Sequence, residues 1–276
     1  MNILKNTINI GIEKPFTFLH MTDTHCTFTD DNDSQERKIF ADNRKAGLFQ
    51  YSDVNLEFAE NYVKKTGYPL IHTGDFIDFI TPENLKVAKK FADETGMLMV
   101  MGNHELLYCT NNDFITDECL ADYKNNEFTI DMLGDFFNND LRFFAKEING
   151  VMLVGIDNSN SQIRQSAYEA LKEVVAIGKP IILFMHIPLS TPSFNERFGD
   201  YLIALPDEIL NSFSPAKVTE MKPTPTTVEA RDYIISQPLI KAVVAGHMHC
   251  IYETPVDTEL KQYLTDKNSL CEITVI

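Results

Sequence analysis

The sequence predicts a layered α/β protein, and three observations carry that prediction. Segments with helical apolar spacing stop at a glycine. A short apolar run follows each of them directly. Several such runs then end in a carboxylate, an amide or an imidazole. The first helix is expected from about Ser52, a candidate N-cap, through Val54, Phe58, Ala59, Tyr62 and Val63. It stops at Gly67, with Pro69 beyond. A second opens at Thr81-Pro82-Glu83, a capping residue followed by proline at the first helical position, and stops at Gly96. A third places Ile163, Ala167, Ala170, Leu171 and Val174 on one face and ends at Gly178. The strands expected after them are Leu70-Ile71, Met97 to Met101 and Ile181 to Met185. Further apolar runs are Phe16 to Met21, Val151 to Ile156 and Ala242 to Ala245. Strand candidates in the tail lie at Cys250 to Glu253, Leu260 to Leu264 and Leu270 to Ile276. Two stretches, about 106–140 and the proline-punctuated 187–235, show no clear periodicity, and long stretches of that kind are often functional. No Gly/Ser linker or internal repeat divides the chain, so residues 1–276 are read as one domain.

Composition narrows the class. The formal charge of −16 argues against a nucleic-acid surface, which needs Lys and Arg to neutralise phosphates. It leaves a small phosphorylated substrate open, because bound metal ions can supply positive charge locally. No apolar run has the length of a membrane span, and residues 1–15 lack the apolar stretch of a signal peptide. The five cysteines, at 26, 109, 119, 250 and 271, never pair as C-x-x-C, which suits a reducing cytoplasm. Most read as small buried hydrophobes. Cys26 and Cys250 each follow a candidate ligand, so a redox-sensitive pair is the alternative reading for those two.

The residues after the strands carry the chemistry. FTFLHMT leads into Asp23-Thr24-His25, and PLIHT into Gly74-Asp75 with Asp78 three residues on. MLMVM leads into Gly102-Asn103-His104-Glu105, IILFM into His186, and KAVVA into Gly246-His247-Met248-His249. In open α/β sheets, sites form beyond the carboxyl ends of strands, so these residues can converge. Asp75 and Asn103 are 28 residues apart, close to one βαβ unit, which puts them on neighbouring strands. Five of the seven histidines stand at strand ends; His20 and His72 lie inside strands and read as core residues. Imidazoles with carboxylates and one amide suit Mn, Fe or Zn, and seven candidate ligands suit two ions that share a carboxylate. Two such ions can clamp a phosphate ester and ionise a bridging water at neutral pH. Against Asp23 and Asp75 they leave a local charge of about +2 facing substrate.

The order D-x-H, G-D-x-x-D, G-N-H-E, H-x-P, G-H-x-H, over residues 23 to 249, resembles the calcineurin-like metallophosphoesterase superfamily. The resemblance implies a pair of mixed sheets flanked by helices, an αββα sandwich. It assigns Asp23, His25 and His249 to one of two divalent metals, and Asn103, His186 and His247 to the other. Asp75 would bridge them, His104 would be the general acid and Asp78 the carboxylate that orients it. The implied activity is hydrolysis of a phosphomonoester or phosphodiester, cyclic nucleotides included, by a metal-bridging hydroxide. Protein serine/threonine phosphatases continue the second motif with Arg-Gly, whereas Phe79-Ile80 stands here, and purple acid phosphatases place tyrosine where Asp78 stands. Two readings remain beside this one. A non-catalytic metal-binding scaffold of the same fold should show eroded ligands, and none is eroded here. A hydrolase of non-phosphate esters leaves His104 unexplained. The stretch 187–235 is expected to form a lid or wall over the metals, and Arg197 and Arg231 within it are weighed as phosphate contacts against a solvent-exposed role.

Overall fold

The computed structural model describes residues 1–106, 127–198, 202–211, 222–254 and 260–276. Most of the periodicity-free stretch at 106–140, with Cys109 and Cys119, lies outside them. Among the described residues, eleven strands form two sheets. The first holds β1 (Asn2–Ile8), β2 (Phe16–Met21), β3 (Leu70–His72), β4 (Leu98–Met99) and β11 (Ser269–Val275), in the order β1-β11-β2-β3-β4. The second holds β5 (Phe143–Ile148), β6 (Val151–Ile156), β7 (Ile181–Phe184), β8 (Ile240–Ala245), β9 (Tyr252–Glu253) and β10 (Gln262–Leu264), in the order β5-β6-β7-β8-β10-β9. β2, β3 and β4 run parallel, as do β6, β7, β8 and β10, while β2–β11, β5–β6 and β9–β10 are antiparallel.

Strand periodicity explains the layering. In β7, Ile182 and Phe184 join Phe18, Ile71, Val244 and Ile273 in a core between the sheets. Ile181 and Leu183 point the other way, onto α5 (Gln165–Ala176), α6 (Pro192–Phe198), α7 (Asp207–Leu210) and α8 (Pro225–Ser236) through Leu171, Phe194, Leu210 and Ile234. On the first sheet, Leu19, Met21, Leu70 and Met99 pack onto α2 (Ser52–Thr66), α3 (Pro82–Thr95) and α4 (Glu127–Leu133) through Leu56, Ala59, Phe91, Ala92 and Ile130. The sandwich implied by the resemblance is the fold observed. Among the described residues, no helix is long and apolar enough to cross a membrane.

Gly67 and Gly96 each end their helix in the left-handed conformation as expected, and one of the two expected starts fails. Thr81 accepts from the Asn84 N–H at 3.1 Å and Gly96 ends α3 in the left-handed conformation. α5 buries Ala167, Leu171 and Val174 as expected and adds Tyr168 and Val175, while Ala170 is only half-buried. For α2 the expectation needs correction. Tyr51 precedes the helix, and Ser52 is its first residue, with its hydroxyl turned back to the carbonyls of Thr24 and Phe49. The buried face is Ser52, Asn55, Leu56, Ala59 and Val63, whereas Val54 is 58% exposed.

Candidate metal centre

The loops that leave β2 and β3 stay hydrogen-bonded beyond the strand ends. Asp23 N–H donates to Gly74 O at 3.0 Å, His25 N–H to Asp75 O at 2.9 Å and Asp78 N–H to Cys26 O at 2.9 Å. This continuation places Asp23 and His25 beside Asp75 and Asp78. The second sheet is tied to the same place: His186 Nδ1 lies 2.7 Å from Thr73 O, and His247 N–H lies 3.0 Å from Asp23 Oδ2. Two glycines make this closeness possible. A Cβ on Gly102 would sit 2.2 Å from Asp75 N, and one on Gly246 would sit 1.9 Å from Thr22 Oγ1. Asp23, His25, Asp75, His247 and His249 all have φ between 48° and 68°. That left-handed conformation costs an L-residue roughly 1–2 kcal/mol. Five instances at one locus show that packing overrides local preference to aim these side chains.

All seven candidate ligands converge in two groups that share one carboxylate. Asp23, His25, Asp75 and His249 form the first; Asp75, His186 and His247 form the second, where Asn103 Oδ1 lies 3.1 Å from His186 Nε2. Asp75 Oδ1 accepts the His104 N–H at 2.8 Å. Its Oδ2 stands between the groups, 3.6 Å from His25 Nε2 and 3.3 Å from His186 Nε2. Asp23 Oδ2 is held by the Thr22 hydroxyl at 2.8 Å, while Oδ1 faces His249 Nε2 at 3.3 Å.

The donor set fits cations. His186 gives its Nδ1 proton to Thr73 O, so in the neutral ring Nε2 is a lone pair. That lone pair faces Asp75 Oδ2, Asn103 Oδ1 and, at 3.2 Å, His247 Nδ1. His25 gives its Nδ1 proton to Asp78 at 2.9 Å, and its Nε2 meets His249 Nε2 at 3.1 Å. Acceptors aimed at one another this closely repel unless a proton or a metal ion lies among them. The buried charges show the same demand. Burial opposes ionisation of Asp23 and Asp75, yet His249 and His186 hold Asp23 at about 2, and His186, His104 and His25 bring Asp75 well below the usual carboxylate range. Burial also disfavours charge on His186, but Asp75 and Asp23 outweigh it and raise the imidazole to about 9. His247 falls to about 4 through burial and the positive charge of His186.

A third group, His25, Asp78 and His104, is a hydrogen-bond relay. Asp78 receives Arg44 Nε at 2.5 Å and Nη2 at 2.6 Å, with His25 Nδ1 and His104 Nδ1 each 2.9 Å away. Burial works against ionisation of Asp78, but these donors hold its carboxyl far below the ordinary range. His104 is disfavoured as a cation by burial and favoured by Asp78 and Asp75, which raise it to about 9. Among the described residues its Nε2 has no hydrogen-bond partner. His20 and His72 lie behind the site as core residues. Burial lowers each to about 3, and their nitrogens meet the hydroxyls of Thr265, Thr73 and Thr24.

Several supporting residues were not expected. Glu105 accepts N–H bonds from Asp75, Ile77 and Gly102 at 2.8, 3.1 and 2.7 Å, and so staples two ligand loops together. Asn158 Oδ1 accepts from the N–H groups of His186 and Ile187, both at 3.1 Å. It follows β6 as Asp157-Asn158, so the strand-end rule that finds the other loops also points here. Arg44 ends α1 (Gln35–Gly47), and Phe49, just beyond, stacks on His25 with centroids 4.0 Å apart. Nothing in the motif spacing marks either. Cys26 packs on the helix side of the first sheet and Cys250 on that of the second, as the packing reading of each expects. Arg231 is engaged with Asp232 and Ala204 O, and Arg197 is exposed.

Known proteins share this fold. The structure is similar to a dimetal phosphatase from Danio rerio, with a TM-score of 0.51 at 12% identity, over 91% of this chain and 87% of that one. It is also similar to purple acid phosphatase PPD1 from yellow lupin, with a TM-score of 0.51 at 11% identity, over 92% of this chain and 44% of that one. At such identities the likeness is one of fold. No curated protein matches the sequence. The model of the calcineurin-like phosphoesterase family matches residues 16–250, and the chain belongs to that family.

Proposed function

We propose that this protein hydrolyses phosphate esters of small molecules, monoesters or diesters, at a pair of divalent ions. Asp23, His25 and His249 would hold one ion, Asn103, His186 and His247 the other, and Asp75 would bridge. The observation that carries this reading is the placement of Asp75 Oδ2 between two sets of converging acceptors. Imidazole, carboxylate and amide donors suit Mn, Fe or Zn. When bound, the ions supply Lewis-acid charge for the phosphoryl oxygens and acidify a water.

The protein's own residues do the rest. Arg44 fixes Asp78, and Asp78 fixes His104 through Nδ1. The charged ring is thereby left with one proton, on Nε2, to give to the departing oxygen. The ring of Phe49 covers one face of His25 and keeps water from it. Turnover of a panel of phosphomonoesters, cyclic nucleotides and linear diesters with Mn, Fe and Zn tests the proposal. Two bound equivalents without turnover of any ester would replace it with a metal-binding scaffold.

Metal loading should depend on pH in a definite direction. His186 ligates only as the neutral imidazole, and in the metal-free protein its pKa is raised to about 9. Below that value a proton must leave for a metal to bind. Affinity should therefore fall about tenfold per pH unit between 8 and 6 for each proton displaced. Equal Mn dissociation constants at pH 6 and 8, measured by calorimetry, would contradict this.

We further propose that 187–235 forms a wall of the site, since it starts beside His186 and returns before His247. The described part is well packed: Leu189, Phe194, Leu205 and Ile234 are core. The informative change is therefore an exchange of 212–221, not a deletion of the whole. Metal content should hold while the ranking of substrates shifts; an unchanged ranking and unchanged KM values would remove this role.

A further inference from the structure

Beside the candidate centre, the turn between β10 and β11 carries an ammonium group that has no ion-paired carboxylate among the described residues. Lys267 Nζ lies 5.0 Å from the ring centroid of Phe49. Phe49 in turn stacks on His25 at 4.0 Å and meets His249 edge-on at 6.2 Å. A second cation, Arg44, lies over the same ring, 4.8 Å from its centroid, and is engaged by Asp78. Among the described residues no carboxylate comes within ion-pair distance of Lys267. Its neighbour Asp266 instead accepts the Asn268 N–H at 2.8 Å. The turn is anchored from α2, where Asn55 Nδ2 reaches Lys267 O at 3.4 Å and Asn268 Oδ1 at 3.2 Å. The lysine is therefore presented from a fixed backbone.

We propose that Lys267 is a substrate-binding residue, and that its ammonium takes an anionic oxygen of the phosphate ester at the His25–His249 edge of the centre. The inference rests on the phosphoesterase reading and deepens it. In a chain with formal charge −16, a partly buried ammonium that forms no ion pair among the described residues is an unusual arrangement. Burial lowers its pKa, and the carboxylates of Asp23 and Asp266 act in the opposite direction. Two divalent ions would reverse that field, because their charge exceeds that of Asp23 and Asp75. An anion arriving at the ions would then be the favourable partner that the protein withholds. Phe49 supports the lysine through a cation–π contact and limits where Nζ can go.

The test uses the Mn-loaded full chain and two neutral variants, Lys267→Met and Lys267→Gln, with Lys267→Arg as the charge-retaining control. Inorganic phosphate binding is measured by calorimetry, and KM and kcat with p-nitrophenyl phosphate. Removing one charge-assisted contact should weaken phosphate binding, and raise KM, about tenfold. The expected pattern is that loss in both neutral variants, kcat within about twofold, unchanged Mn stoichiometry and recovery in Lys267→Arg. Phosphate affinity and KM equal to wild type would overturn the proposal. Loss of Mn from the neutral variants would also overturn it, since Lys267 would then be structural. Wild-type protein that binds phosphate yet hydrolyses no ester would sink the phosphoesterase reading alone, because the phosphate titrations still decide the role of Lys267.

Discussion

Asp75→Asn is expected to lower metal content in both halves of the site, whereas His249→Ala should empty mainly one. The difference follows from geometry. Asp75 Oδ2 is 3.6 Å from His25 Nε2 in one group and 3.3 Å from His186 Nε2 in the other, while His249 belongs to the first group alone. The amide removes a full negative charge from a buried position. Its –NH2 end must also face either the His104 N–H, a donor it cannot pair with, or the imidazole lone pairs, which it would occupy in place of a metal ion. Losing a residue behind the ligands typically lowers affinity or activity about 10–100-fold, so loss of the shared ligand should cost more. Elemental analysis that finds both equivalents retained in Asp75→Asn would remove the bridging role.

Much of this was legible in the sequence, for a physical reason. Ligands at strand ends follow apolar runs that need no context to be read as strands, and each of β2, β3, β4, β7 and β8 delivers its residues where the motif order says. What escaped falls into two kinds. β1 and α1 lack the periodicity on which such reading depends. β1 is an edge strand in which only Ile8 is buried, and α1 buries Arg37 and Ala41 while Ile39 and Phe40 stay exposed. Arg44 and Phe49 are carried on and just after that illegible helix, so the residues that lock Asp78 and cover His25 were hidden with it. β5 is a different case. It pairs with β6 across Asn149-Gly150, both at positive φ, and Asn-Gly is the strongest short-range hairpin signal. A search for apolar runs passes over Phe143–Ile148 because only Phe144 is buried. The turn residues mark the strand where its own composition does not. Glu105 shows a further limit, since its three N–H bonds to ligand loops depend on proximity that spacing does not encode.

The effect of His104→Asn should depend on the leaving group. His104 Nδ1 is committed to Asp78, and the charge of that carboxylate, with Asp75, keeps the imidazole protonated up to about 9 against the cost of burial. An alkyl leaving group would otherwise depart as an unstable alkoxide, so a proton from Nε2 is worth about 10²–10⁴-fold in rate. A nitrophenolate departs readily unprotonated and needs little of that help. The variant should therefore lose a large factor on alkyl phosphates and a small one on p-nitrophenyl esters. The backbone N–H of residue 104, which holds Asp75 Oδ1, survives the substitution, so metals should remain bound. The sign of the pH dependence follows from the same raised pKa. Wild-type turnover of alkyl phosphates should be supported below about 9 and decline as the ring loses its proton above it, and the Asn variant should lack that decline. An equal loss on both leaving groups, with metals retained, would assign His104 to positioning or electrostatics. Loss of metal would make it a ligand.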